Sequence, residues 1–125
     1  LNMWIFNDDG FFSTVVDVND HSRLAVRSRD WISLIHFLDA MDIDRSALVK
    51  TPDRDYPYRV FVHRDIWVRY MSEKAEALDY VDYKSHMVGQ PLHSDKQIPQ
   101  KWINRLGDIW ALLYDGWEVR GDGDG

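Results

Sequence analysis

The chain has 125 residues with 21 acidic against 15 basic side chains, a net charge of −6, and 45% hydrophobic and 14% aromatic residues. This length and composition fit one domain with a real core and exclude a wholly disordered chain. The acidic balance disfavours general nucleic-acid binding. Because the chain contains no Cys, disulfides, thiolate nucleophiles and Cys-based zinc sites are also excluded.

Two features of the sequence bear on localisation. No apolar run approaches the roughly 18–20 residues that a membrane-spanning helix needs. The N-terminus lacks the basic and then apolar layout of a signal peptide. We therefore expect a cytoplasmic protein with no membrane partner. Met3 is a candidate for the natural first residue, which would leave Leu1 and Asn2 as non-native.

The first predicted elements are three strands in a meander. Residues 3–6 and 11–18 are rich in aromatic and β-branched side chains, and Asn7-Asp8-Asp9-Gly10 between them has the chemistry of a tight turn. A third strand is expected at residues 23–29. Alternation along the second strand predicts that its even-numbered residues face the core, namely Phe12, Thr14, Val16 and Val18.

Helical periodicity replaces strand alternation after residue 30. An apolar stripe over residues 31–41 predicts a helix, for which Ser28 or Asp30 is a suitable N-cap. Residues 42–55 resemble a polar connection with one helical turn near Arg45. A fourth strand at residues 58–62 follows Pro57, which is tolerated at a strand start.

Two further helices are expected in the second half of the chain, at about residues 65–78 and in the segment that begins at Pro99. Residues 80–88 are a candidate for a short additional helix. Residues 116–125, rich in Gly and Asp, should be a disordered tail. The domain is then expected to span residues 3–115.

The predicted element order is β-β-β-α-β-α-α. A strand, a helix and a returning strand over residues 23–62 suggest a right-handed crossover that joins two parallel neighbours. The remaining pairs would be antiparallel. We therefore predict a two-layer α+β domain with a plait-like, ferredoxin-type architecture and a mixed, mostly antiparallel four-stranded sheet.

Five segments occur together and in order, and as a set they carry a family resemblance. They are MWIFNDDGFFSTV, LAVRSR, DYPYRVFV, LDYVDYKSHM and IWALLYDGW. The chain resembles a family of small uncharacterised bacterial proteins that begin with Met-Trp and carry a Gly-Phe-Phe-Ser hairpin and an Asp-Tyr-Pro-Tyr-Arg strand start. Tyr83 stands where the family pattern has Phe. The resemblance implies an intact single domain from Met3 to Tyr114 and supplies no mechanism.

The second face of the predicted sheet is the main candidate binding site. Its candidate residues are Phe11, Arg23, Arg27, Arg29, Arg59, Phe61 and His63. Arginines beside aromatic rings on an open sheet can stack on bases or pair with phosphates. Two other interpretations stay open at this point. The arginines could pair with Asp17, Asp53 or Asp55, or the last helix could cover the face.

The sequence offers little catalytic or metal-binding chemistry. His63 and Asp65 form a His-x-Asp pair at the end of a strand, which could orient an imidazole for proton transfer. No nucleophile motif accompanies this pair, so we expect a protein that is not an enzyme. The five His residues never occur at metal-ligand spacing, and no phosphate-binding loop is present, so no metal and no cofactor are implied.

The aromatic excess favours contacts between proteins. Five of the six Trp fall on predicted apolar stripes, where core packing is the ordinary role. A surplus on the first hairpin or the last helix would instead suit an interface, where Trp, Tyr and Arg are favoured. We therefore predict a protein-interaction domain that forms a homodimer or binds another protein. The alternative is a binder of nucleic acid or of another anionic ligand through the Arg and Phe residues of the sheet face.

Overall fold

A computed structural model describes residues 2–83, 85–87 and 100–124, with side chains described as far as residue 113. The strands are β1 (Met3–Asn7), β2 (Gly10–Asp17), β3 (Asp20–Ser28), β4 (Val49–Lys50) and β5 (Tyr58–His63), and the helices are α1 (Trp31–Ala40), α2 (Arg64–Glu76) and α3 (Gln100–Asp124). A short 3-10 turn covers Arg45–Ala47. The chain divides into two compact units, Leu1–Asp79 and Tyr80–Gly125.

The first unit begins with the predicted meander, β1-β2-β3, in which neighbouring strands are antiparallel. Gly10 closes the first hairpin with φ at 141°, a left-handed value that residues with a Cβ rarely adopt. A Cβ on Gly10 would also overlap the Ser33 hydroxyl of α1. The glycine is therefore needed both for its backbone angle and for its close approach to α1.

The rest of the sheet corrects the predicted topology. The sheet has five strands in the order β1-β2-β3-β5-β4, and both β3 and β4 pair antiparallel with β5. The strand parallel to β3 is therefore β4, and β5 lies between the two. The predicted parallel neighbours and the four-stranded count were wrong because the two-residue strand Val49–Lys50 reverses the chain before β5 begins. The α+β class is confirmed, and the strand order differs from the predicted plait.

One sheet face carries the core of the first unit, beneath α1 and α2. Phe12 lies at its centre, with its ring centroid 6.2 Å from that of Phe37, 6.0 Å from Trp67 and 5.8 Å from Tyr70. Phe12 and Thr14 are buried and Val16 packs against the core, as strand alternation predicted. Val18 is 86% exposed, so its predicted core position was wrong; β2 ends at Asp17 and Val18 lies in the turn.

Side chains at the start of α1 attach that helix to the first hairpin. Asp30 is the N-cap, and its carboxylate accepts a hydrogen bond from the Ser33 backbone N–H at 2.7 Å. The Ser33 hydroxyl donates to Asp30 at 3.0 Å and accepts from the Phe11 backbone N–H at 3.2 Å. The Ser28 hydroxyl donates to the Phe11 carbonyl at 2.7 Å. These bonds fix the position of Phe11 relative to α1.

The second unit begins with residues 80–82, which are not helical, and the rest of its described residues are helical. Residues 83 and 85–87 are helical, and α3 extends from Gln100 to Asp124. The predicted start of the last helix at Pro99 lies outside the described residues. The disordered tail at residues 116–125 and the domain bounds 3–115 stay predictions. No helix within the described ranges combines the length and apolar character required to cross a bilayer.

Candidate functional site

The face of the sheet opposite α1 and α2 carries most of the predicted site. Strand register places six of the seven candidate residues on this face: Phe11, Arg23, Arg27, Arg59, Phe61 and His63. The pairing also defines a row across all five strands, which consists of Trp4, Ser13, Arg27, Arg59 and Val49. Arg29 lies just after the end of β3 and reaches the same region through Tyr56.

The arginines at one end of this face are grouped around Tyr56. The guanidinium carbon of Arg27 lies 4.6 Å from the centroid of the Tyr56 ring, and that of Arg29 lies 5.2 Å from it. A guanidinium within about 6 Å of an aromatic centroid is attracted by the ring quadrupole. Arg59 donates from Nη2 to the Tyr56 carbonyl at 3.2 Å. Arg27, Arg29, Arg59 and Tyr56 are called the Tyr56 cluster below.

Positive charge is concentrated in the Tyr56 cluster. Arg27 and Arg59 are directly opposite each other on β3 and β5, an arrangement that is unfavourable for like charges. Burial lowers the pKa of Arg59, and the neighbouring charges of Arg27 and Arg54 lower it further. Within the described part of the chain, no carboxylate lies within salt-bridge distance of the four arginines of this region, Arg27, Arg29, Arg54 and Arg59.

Ordinary hydrogen bonds hold the arginine side chains in place without neutralising them. Arg27 donates from Nε to the Ser13 carbonyl at 3.2 Å and from Nη2 to the Ser13 hydroxyl at 2.8 Å. The Arg59 Nε is buried and has no hydrogen-bond acceptor in the described residues. The cluster is therefore oriented by the sheet, and part of its donor capacity is not used.

The remaining candidates lie at the other end of the face. Arg23 is four residues from Arg27 along β3, which is about 13 Å in an extended strand. Its guanidinium carbon lies 5.2 Å from the Phe61 centroid, and its Nε lies 3.7 Å from the Asp17 carboxylate. His63 is exposed and precedes α2 without a side-chain cap bond. The predicted site therefore separates into the Tyr56 cluster and a weaker group around Arg23.

Aromatic rings on β1 and β2 continue the face beyond the Tyr56 cluster. The Phe11 ring stacks on Phe6 with centroids 4.6 Å apart and meets the edge of Trp4 at 5.9 Å. It also lies 6.3 Å from the Tyr56 ring. Trp4 remains 61% exposed. These contacts connect the exposed edge of the sheet to the arginines through one ring, Phe11.

A second group of polar side chains lies at the tip of the first hairpin. Asp9 is only 4% exposed, and its carboxylate accepts from the Tyr70 hydroxyl at 2.7 Å and pairs with the Lys74 ammonium at 2.8 Å. The Tyr70 hydroxyl also accepts from Asn7 Nδ2 at 2.9 Å, and Lys74 contacts Asp8 at 2.9 Å. These side chains are called the hairpin polar cluster below.

The ionisation states of the hairpin polar cluster are better suited to holding the hairpin in place than to transferring a proton. Burial raises the pKa of Tyr70 well above its usual range, and the Asp9 charge and hydrogen bond raise it further. Burial lowers the pKa of Lys74, but its bonds to Asp9 and Asp8 outweigh this effect, so its pKa is raised overall. Tyr70 is therefore neutral and Lys74 charged at neutral pH. The cluster holds the hairpin tip against α2.

Several residues of this face were not recognised from the sequence. Tyr56 lies in a loop, so no strand alternation indicated its direction, although the Asp-Tyr-Pro-Tyr-Arg segment contains it. Trp4 was assigned to an apolar stripe, and its exposure follows from the position of β1 at the edge of the sheet. Within the ranges that the structure describes, no group of three or more His, Asp or Glu side chains is placed to hold a metal ion.

The chain was also compared with known proteins. No protein-family model, curated protein or solved structure matches it. The family resemblance drawn from the sequence segments therefore stays a prediction.

Proposed function

We propose that the protein is a self-associating interaction domain in which the β1 edge of one copy pairs with the β1 edge of a second copy. The observation that carries this proposal is the position of β1 at the edge of the sheet, with its first two residues exposed. β1 is the first strand of the sheet and, among the described residues, pairs only with β2. Met3 and Trp4 on this strand are 47% and 61% exposed.

The composition of β1 supports a strand-pairing role. Edge strands that must stay single usually carry lysine, proline or a bulge, because their free N–H and C=O groups invite another strand. β1 has the sequence MWIFN, and its register with β2 is regular over all five residues. It has none of these protective features. The edge therefore suits a strand-to-strand contact.

A two-fold axis at Ile5 gives a self-complementary contact. In antiparallel pairing about that axis, Trp4 of each copy lies opposite Phe6 of the other, on the face that already holds Phe11. Directly opposed aromatic residues stabilise antiparallel strands by about 0.2–1 kcal/mol per pair. Symmetry produces two such pairs together with the backbone hydrogen bonds. Because five residues bury little area, we expect a dimer of modest affinity.

The experiment is light scattering coupled to size exclusion over a concentration series. The average mass of the wild-type protein should rise above the 14.8 kDa monomer at tens of micromolar. Trp4→Lys places a charge on the edge and should keep the protein monomeric over the same range. Val68→Lys is the matched control, since Val68 is also 61% exposed but lies on α2.

The outcomes separate the two parts of the proposal. A wild-type protein that stays strictly monomeric at tens of micromolar would remove self-association. A wild-type dimer that Trp4→Lys leaves intact would show that another surface forms the contact. Circular dichroism of both variants checks that the loss of the Trp4–Phe11 contact has not unfolded the domain. The partner class, the absence of catalysis and a cytoplasmic location belong to this same proposal.

A further inference from the structure

Arginines converge on one point of the sheet, where no carboxylate of the described residues lies within salt-bridge distance of them. In a chain of net charge −6, three arginines surround Tyr56, and Arg54 is close enough to affect the pKa of Arg59. At the other end of the face Arg23 pairs with Asp17, which shows that acids on this face can reach arginines where the sheet places them together. The concentration of unpaired charge at Tyr56 is therefore a specific feature of this end of the face.

The geometry points to a binding site for a phosphate monoester in the Tyr56 cluster, held by Arg27, Arg29 and Arg59. This site is independent of the β1 edge. Arg27 and Arg59 are held opposite each other by the pairing of β3 and β5, so an anion between them would relieve their repulsion. Arg29 is exposed and contacts the same Tyr56 ring from the loop that follows β3.

Phosphate fits this arrangement better than a single carboxylate. A monoester carries a charge of about −1.5 to −2 at neutral pH and offers three strong acceptor oxygens. The planar guanidinium fork matches those oxygens in bidentate pairs. Arg27 and Arg59 each make ordinary bonds from Nη2, to Ser13 and to the Tyr56 carbonyl. Their Nη1 groups have no hydrogen-bond acceptor among the residues that the structure describes, so they can donate to a ligand.

The existing contacts also preorganise the site. Cation–π contacts with the Tyr56 ring restrain Arg27 and Arg29, and two hydrogen bonds to Ser13 restrain Arg27 further. A side chain that is already immobilised loses less rotamer freedom when it binds. The acidic surface elsewhere opposes long polyanions more than it opposes one small dianion. The geometry therefore favours a small phosphorylated compound over a nucleic acid.

The test is titration calorimetry of the wild-type protein with phenyl phosphate and with inorganic phosphate, at low ionic strength. We expect saturable binding of both probes with one site per chain. Arg29→Gln and Arg59→Gln should each weaken phenyl phosphate binding about tenfold or more, the expected effect of losing a hydrogen bond between charged groups. Arg69→Gln on α2 is the matched control and should bind like wild type, because its charge pairs with Glu73.

Three results would overturn the proposal. The first is no saturable binding of either probe, and the second is binding that Arg29→Gln and Arg59→Gln leave unchanged. The third is binding of a single-stranded oligonucleotide, lost in both variants, without binding of phenyl phosphate; this would assign the arginines to a nucleic-acid interface. Arg29 is exposed, so its substitution tests the site even if Arg59→Gln fails to fold. Dimer formation by the β1 edge should be unchanged in Arg29→Gln, which distinguishes this site from the proposed function.

Discussion

Replacement of Tyr70 by Phe tests the hairpin polar cluster with the removal of a single oxygen. The Tyr70 hydroxyl donates to the Asp9 carboxylate at 2.7 Å and accepts from Asn7 at 2.9 Å. A hydrogen bond to a charged group contributes about 1.5–3 kcal/mol and one between neutral groups about 0.5–1.5 kcal/mol. The ring remains and keeps its contacts with Phe37 and Trp67. We therefore expect Tyr70→Phe to lower the free energy of unfolding by about 2–4 kcal/mol.

Urea unfolding followed by tryptophan fluorescence measures this change, since Trp67 stacks on Tyr70 with ring centroids 5.3 Å apart. Tyr58→Phe makes the same chemical change at a half-buried residue whose hydroxyl has no hydrogen-bond partner in the described chain. It should stay within about 0.5 kcal/mol of wild type. If Tyr70→Phe costs no more than Tyr58→Phe, the hairpin polar cluster does not anchor the hairpin.

Two further predictions concern the same region. The pKa of Tyr70 is raised above its ordinary value of 10.0, so the stabilising contribution of Tyr70 is fully present below about pH 10 and is lost as the pH rises beyond it. Urea titrations between pH 9 and about 11 should therefore show a shallower alkaline decline in the free energy of unfolding for Tyr70→Phe than for the wild-type protein. An identical decline would contradict this sign. Gly10→Ala should destabilise the domain by more than about 2 kcal/mol, because of its positive φ and its contact with Ser33. Gly107→Ala, with nothing within 4 Å of the added methyl, should be neutral or stabilising by up to about 1 kcal/mol; equal melting temperatures for the two variants would argue against the strain at Gly10.

The local sequence pattern was sufficient to predict most of the strands and helices and most of the residues on the candidate face. The turn at Gly10, the alternation of β2 and the N-cap of α1 each depend on neighbouring residues. The turn and the alternation as far as Val16 were predicted, and Asp30 was one of the two N-caps that the sequence offered, the other being Ser28. Alternation also placed Phe11 and the strand arginines on a single face. These features are visible in sequence because a strand has a period of two residues and a cap lies next to its helix.

The topology and the centre of the site were not predictable in the same way. Val49–Lys50 is a strand of two residues in a polar segment, too short to show any period. Because the chain reverses direction after this strand, β5 lies beside β3, and Tyr56 in the connecting loop contacts the arginines. The hairpin polar cluster joins Asp9 to Tyr70, which are 61 residues apart in sequence. Contacts of this kind depend on tertiary packing, which single-sequence patterns do not contain.

The insertion of β5 between β3 and β4 has a consequence for the folding order. Val26 of β3 pairs with Thr14 on one side and with Val60 on the other. The first pairing closes a short loop and can form early, whereas the second must wait for α1 and the hairpin β4-β5 and carries a larger loop-closure entropy. During synthesis, the backbone edge of β3 stays without its second neighbour until residues near Val60 have left the ribosome. Stabilising the β4-β5 hairpin should therefore shorten the period in which this edge can join a foreign strand.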